Sequence, residues 1–125
     1  MSDIENLDDV KHLVNTFYEQ VQQHSLLGPV FENVVQGNWT THLEKMYRFW
    51  QTILLNEHTY TGSPFAQHVK LPIEAEHFEA WLTLFYKTVD GLYKGARADE
   101  AKTRAGKMGE MFQYKLAYLR AQQAN

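Results

Sequence analysis

The chain has 125 residues, enough for one domain spanning 1–125 and too short for two independent cores. Hydrophobic residues make up 44%, so a packed core is expected rather than disorder. Lys+Arg is 12 against 15 Asp+Glu, a formal charge of -3, which lacks the basic excess of a nucleic-acid binder.

The first predicted helix carries Val10, Leu13, Val14, Phe17, Tyr18 and Val21 on one apolar stripe. Asp8 and Asp9 at its start suit the positive end of the helix dipole, and the stripe ends near Gln23. Leu27-Gly28-Pro29 then turns the chain, with Val30-Phe31 in a short helical turn at most. A second helix starts near Trp39, with Thr40 or Thr41 as its cap. Trp39, Leu43, Met46, Trp50 and Ile53 form its apolar face, and Phe49 and Leu54 widen it. Asn56 to Gly62 is polar and reads as a loop. Ser63-Pro64 opens a short helix that Pro72 closes. A third long helix follows, with Phe78, Trp81, Leu82, Phe85, Val89 and Leu92 on one stripe and Gly91 and Gly95 at its end. Asp99 is the expected cap of the last helix, whose inner face carries Ala101, Ala105, Met108, Phe112 and Leu119. No segment alternates with period two, so the fold class is all-α.

There is no cysteine. That removes disulfides, thiol catalysis, iron–sulfur clusters and Cys-based zinc sites, and it fits a reducing cytoplasm. Met1 leads into a polar, acidic start without the basic and apolar runs of a signal peptide. No apolar stretch approaches the ~20 residues of a membrane span.

Aromatics reach 14% and histidines number six, an excess that hints at a pocket lined by rings. His12, His24 and His58 stand among polar residues and read as surface. His42 lies one turn before Met46 on an apolar stripe, and His68 sits between two prolines with Val69 and Leu71 nearby. Taken alone, either reads equally as a buried core histidine or as a ligand. Glu74-x-x-His77 occurs once, whereas a di-iron bundle needs two such motifs, so this one reads as helix N-terminal charge. Tyr18 and Trp81 carry polar handles on apolar stripes, and by spacing alone they belong to the core.

In order and spacing, these segments resemble a truncated globin from about Val10 to Leu119. Phe17-Tyr18 followed by Leu27-Gly28-Pro29-Val30-Phe31 is similar to the passage from helix B to helix C of that family. Trp39-Thr40-Thr41-His42 with Phe49-Trp50 resembles helix E. Tyr60-Thr61-Gly62-Ser63-Pro64 leading to His68 resembles the approach to the proximal histidine, and Phe78-Glu79-Ala80-Trp81 the start of helix G. With no Gly-Gly pair, and with His42 together with Trp81, the chain looks like the third, bacterial group.

The resemblance implies a two-over-two helical sandwich around one haem b. His68 matches the axial ligand, and Tyr18, His42 and Trp81 match the polar distal residues. Phe31 matches the phenylalanine packed on haem, and Met46 the distal position one turn after His42. Lys45, Arg48 and Tyr60 are candidates for the propionates, from polar positions near the expected haem edge. Pro64, four residues before His68, is the candidate acceptor for the other imidazole N–H. The implied function is binding of oxygen, carbon monoxide or nitric oxide at a five-coordinate iron, without nucleic acid or membrane as partners. A ligand that gains negative charge draws charge-assisted donors worth ~1.5–3 kcal/mol each. Two rivals stand beside this reading. One is a peroxidase-like or nitric-oxide-converting enzyme on the same scaffold, with His42 as base and a reductase as partner. The other is a cofactor-free helical interaction domain.

Overall fold

Asn6 begins the first helix from an extended backbone, its side chain accepting the Asp9 N–H at 3.0 Å. That helix, α1 (Leu7–Gln23), buries the six stripe residues that its sequence period marks. The computed structural model describes residues 1–62 and 73–123. The expected short helix at Ser63-Pro64, together with His68 and Pro72, lies outside the described residues.

The chain does not simply turn after α1. Leu27–Val35 forms a nine-residue helix, α2, where the sequence suggested one turn at most. His24 explains it, with Nδ1 accepting the Leu26 and Leu27 N–H groups at 3.1 and 3.2 Å. Histidine is thus half-buried at a helix start rather than a free surface residue. Pro29 falls in the first turn, where no intrahelical N–H is needed. Gly28 is required there, because a Cβ would stand 2.8 Å from the Gln22 carbonyl oxygen. Gln36 and Gly37, both left-handed, then close α2.

Helix α3 (Trp39–Leu54) has Asn38 at its N-cap position, with no side-chain cap bond. Thr40 and Thr41 lie inside its first turn, so the expected cap is corrected. The loop after α3 is fastened to it by side chains. Thr52 Oγ1 accepts the N–H groups of Thr59 and Tyr60, each at 3.1 Å. The buried Gln51 amide binds Glu57, and its oxygen accepts from Arg48 and Thr59.

Helix α4 (Ala75–Leu92) starts where the Glu74 N–H donates to His77 Nδ1 at 2.9 Å, the structural role read for that motif. Gly91 is still helical, and Gly95 lies beyond the end. Helix α5 (Ala96–Gln123) is capped by Asp3 rather than by Asp99, which stands in its first turn. A cap contributed from the far end of the chain cannot be seen by reading the residues next to the helix. Ala101, Ala105 and Phe112 are buried as expected, but Leu116 takes the place assigned to Leu119, which is half-buried.

The helices α1 with α3, and α4 with α5, make two pairs. Contacts of α1 with α4 and of α3 with α5 lay one pair on the other, and α2 bridges α1 and α4. The core lies between the pairs, with Val10, Leu13, Val14, Phe17, Val21, Phe85 and Val89 sealed from solvent. Phe112 and Leu116 join Ile73 and Phe78 in a second cluster. Among the described residues there is no strand, and no helix is long and apolar enough to cross a membrane.

Candidate functional site

The apolar face of α3 is incompletely covered. Trp50 and Leu54 are buried, but Leu43, Met46 and Phe49 are only half-buried on the same side. Apolar surface left wet forgoes about 25 cal/mol per Å². Met46 and Phe49 face an open cleft that all five described helices line. A cleft walled mostly by apolar and aromatic side chains with a few polar groups suits a small organic ligand or cofactor.

Its floor is an aromatic stack. Phe85 lies between Trp81, at 5.6 Å and 8°, and Trp50, at 5.1 Å and 15°. Phe17 meets both Trp81 and Phe85 edge-on, at 5.9 and 5.2 Å. The indole of Trp81 therefore has little freedom to rotate, and its ring borders the cleft.

Tyr18 enters from α1, only 5% exposed. Burial pushes its hydroxyl above the ordinary tyrosine value, so it remains a neutral O–H donor. His42 of α3 stands edge-on to three rings: Tyr18 at 4.9 Å, Trp39 at 5.7 Å and Phe31 at 6.4 Å. Its Nε2 is shut off from solvent. Tyr60 reaches the cleft from the loop after α3, edge-on to Phe49 at 5.5 Å.

Six of the residues singled out from sequence thus converge on one cleft: Tyr18, Phe31, His42, Met46, Tyr60 and Trp81. Lys45 and Arg48 do not line it. Lys45 is exposed, and Arg48 binds Glu44 and Gln51. His68 lies outside the described residues. Reading the sequence missed three contributions. His77 faces the cleft as well as starting α4; Met108, Gly109 and Phe112 bring α5 into the wall; and Trp39 donates its indole N–H to Glu32 at 2.9 Å. Gly109 inside a long helical run was a signal for close approach. The other two depend on folding across corners.

Two helix pairs, one laid on the other around an aromatic cleft, are the architecture of a globin. Residues 4–114 match the model of the bacterial-like globin family. The chain is 33% identical over 112 residues to the group 3 truncated hemoglobin ctb of Campylobacter jejuni, covering 86% of this chain and 88% of that protein. It is 34% identical over 86 residues to the group 2 truncated hemoglobin YjbI of Bacillus subtilis, covering 65% and 62% respectively. The crystal structure of a group III truncated hemoglobin from Campylobacter jejuni superposes with a TM-score of 0.86 at 32% identity, over 93% of this chain and 95% of that one. This chain belongs to the bacterial-like globin family and has the truncated globin fold. Membership implies a haem-binding protein that takes small diatomic gases.

Proposed function

We propose that the cleft holds one haem b, with His68 as the axial ligand, and that Tyr18, His42 and Trp81 form the polar wall around a bound oxygen, carbon monoxide or nitric oxide. The cleft itself carries this reading: it combines aromatic and apolar walls with a buried hydroxyl that keeps its proton. These residues fit a flat, largely apolar ring system with one polar working face.

Haem supplies an iron with an open position for a small ligand. The rest is done by the chain. Phe31 and Met46 offer apolar contact and exclude water. Tyr18 donates from its hydroxyl, and Trp81 from an indole fixed by stacking on Phe85. His42, caged by three rings, donates from one nitrogen or takes up a proton there. Three donors favour a ligand that gains negative charge, and slow release suits sensing, scavenging or redox use more than transport. Tyr60 is the propionate candidate that reaches the cleft, with Lys45 and Arg48 further out on α3. The Pro64 carbonyl is the acceptor proposed, from sequence position, for the single N–H of an iron-bound His68.

The test is the absorption spectrum of the purified chain, ferrous with and without carbon monoxide. A Soret band that shifts with the gas is expected, and His68→Ala should lose haem or hold it loosely. A haem-replete preparation without a Soret band, or wild-type haem affinity in His68→Ala, overturns the assignment. Consumption of peroxide or nitric oxide far faster than by free haem would change the reading to turnover, with His42 as base and a reductase as electron source.

A further inference from the structure

Trp39 stands behind the distal wall rather than in it. Its ring tilts on Tyr18 at 6.1 Å and meets His42 edge-on at 5.7 Å, yet it does not line the cleft. Its one polar hydrogen points the other way, donated to the exposed Glu32 carboxylate at 2.9 Å. The indole therefore presents carbon to Tyr18 and His42. It can exclude water from them without competing with them for a polar ligand.

The pair also crosses a corner. Glu32 belongs to α2, Trp39 opens α3, and Gln36 and Gly37 between them hold φ of 52° and 80°. Two successive left-handed residues make a sharp bend that leaves the outer edge of α2 and α3 to be closed by side chains. Two bonds link the sides of that corner: the Asn38 N–H to the Val35 carbonyl at 3.0 Å, and the charge-assisted bond from the Trp39 indole to Glu32.

We propose that Trp39, latched by Glu32, is a positioning residue that forms the outer wall of the distal pocket and closes the α2–α3 edge to water and to small ligands. The kinetic part of this proposal rests on the haem-binding reading; the structural part does not. Release of the latch opens a second route to Tyr18 and His42, so ligand entry and release speed up together and the affinity is unchanged.

The experiment compares the full chain with Glu32→Ala and Glu32→Gln. Indole N–H exchange, followed by nitrogen-15 spectroscopy, reports the latch without haem, and Trp39→Phe assigns the Trp39 signal among three tryptophans. Glu32→Ala should speed Trp39 exchange by about three- to tenfold and leave Trp50 and Trp81 unchanged. Glu32→Gln keeps an acceptor and should restore most of the protection. In the haem-loaded protein, bimolecular carbon monoxide rebinding after photolysis and carbon monoxide dissociation should both rise by a similar factor in Glu32→Ala, with an unchanged affinity. Unchanged indole exchange overturns the latch. Faster exchange with unchanged rebinding overturns the wall, as does a change in entry without a matching change in release. Failure of the parent chain to take up haem overturns the haem-binding reading alone, and indole exchange then decides the latch by itself.

Discussion

The Asp3 carboxylate sits over the first turn of α5, accepting the Arg97 N–H at 3.0 Å and the Ala98 N–H at 2.9 Å. Arg97 returns the contact, its guanidinium donating to the Ile4 carbonyl at 3.0 Å. The chain's first residues are thereby fixed to the start of its last helix. Gly95 makes room for this: it holds φ of 146°, and a Cβ there would lie 2.5 Å from Asp3 Cγ.

Removing that cap should destabilise the protein. Asp3→Ala is expected to cost about 1 kcal/mol, roughly 3–6 °C in Tm for a chain of this size. Burial alone would raise the Asp3 carboxyl, but the N–H groups of Arg97, Ile4 and Ala98, with the Arg97 charge, outweigh it and hold the group below the usual carboxylate range. The unfolded carboxyl takes its proton first as pH falls. This stabilisation is therefore present above about pH 4 and is lost as pH drops through the folded value. Thermal melts of the parent and Asp3→Ala should differ at pH 7, and the difference should shrink as pH falls below about 4. A difference that stays constant as pH falls well below about 4 overturns the electrostatic part of the argument.

Tyr93 ties the end of α4 back to α1, its hydroxyl donating to the Asp9 carbonyl at 3.1 Å. Burial first, then the nearby Asp9 carboxylate, push that hydroxyl up to about 12. The folded chain keeps a proton that the unfolded chain gives up near pH 10. Its contribution is complete below about pH 10 and is lost as pH rises toward the folded value. Tyr93→Phe should cost about 1 kcal/mol at neutral pH. The ultraviolet tyrosinate titration of the parent, minus that of the variant, should show one step near 12. A step near 10 would contradict this environment.

Thr52, in the last turn of α3, fastens the loop that carries Tyr60. One oxygen accepts from two backbone donors, Thr59 and Tyr60. Thr52→Val keeps the shape and removes both bonds. Amide exchange at Thr59 and Tyr60 should quicken about tenfold, with a loss of about 1 kcal/mol in stability. Thr52→Ser keeps the acceptor and should stay near the parent. Equal exchange in the Val and Ser variants would mean that packing, not the hydroxyl, holds the loop.

Helices that bury a single apolar stripe were legible in the sequence, and α1 shows this best, since its six stripe residues are its six buried ones. Contributions from distant or unusual partners were not. Leu27-Gly28-Pro29 has turn chemistry, yet a histidine cap and a proline placed in the first turn let it run as helix. Asp3 lies far from α5 in sequence, so local capping rules chose Asp99. Leu119 has the right period, but α5 is 28 residues long against 18 for α4, and its last turns have less to pack on. At the site, periodicity treats a cleft wall and a core alike. Tyr18 and Trp81 therefore read as packing until the family pattern was laid over them. The bond between Trp39 and Glu32 carried no signal, because it exists only once the α2–α3 corner has formed.

Tyr18, His42 and Trp81 reach the cleft from three different helices, and their donors are not equivalent. Tyr18 is buried and holds its proton; Trp81 is fixed by its stack on Phe85; His42 is held between rings. Tyr18→Phe and Trp81→Phe each keep an aromatic ring in place, so they remove the donor with less loss of packing than alanine. If each donor contributes roughly 1.5–3 kcal/mol to a charged ligand, oxygen dissociation should speed up about ten- to a hundredfold in each single variant. Carbon monoxide gains little charge and should respond much less. The double variant should fall short of the product of the singles, because both donors address the same small ligand. Dissociation rates of both gases from the two singles and the double check this. Equal acceleration for oxygen and carbon monoxide would show that the wall works by shape, and the donor assignment of Tyr18 and Trp81 would fail.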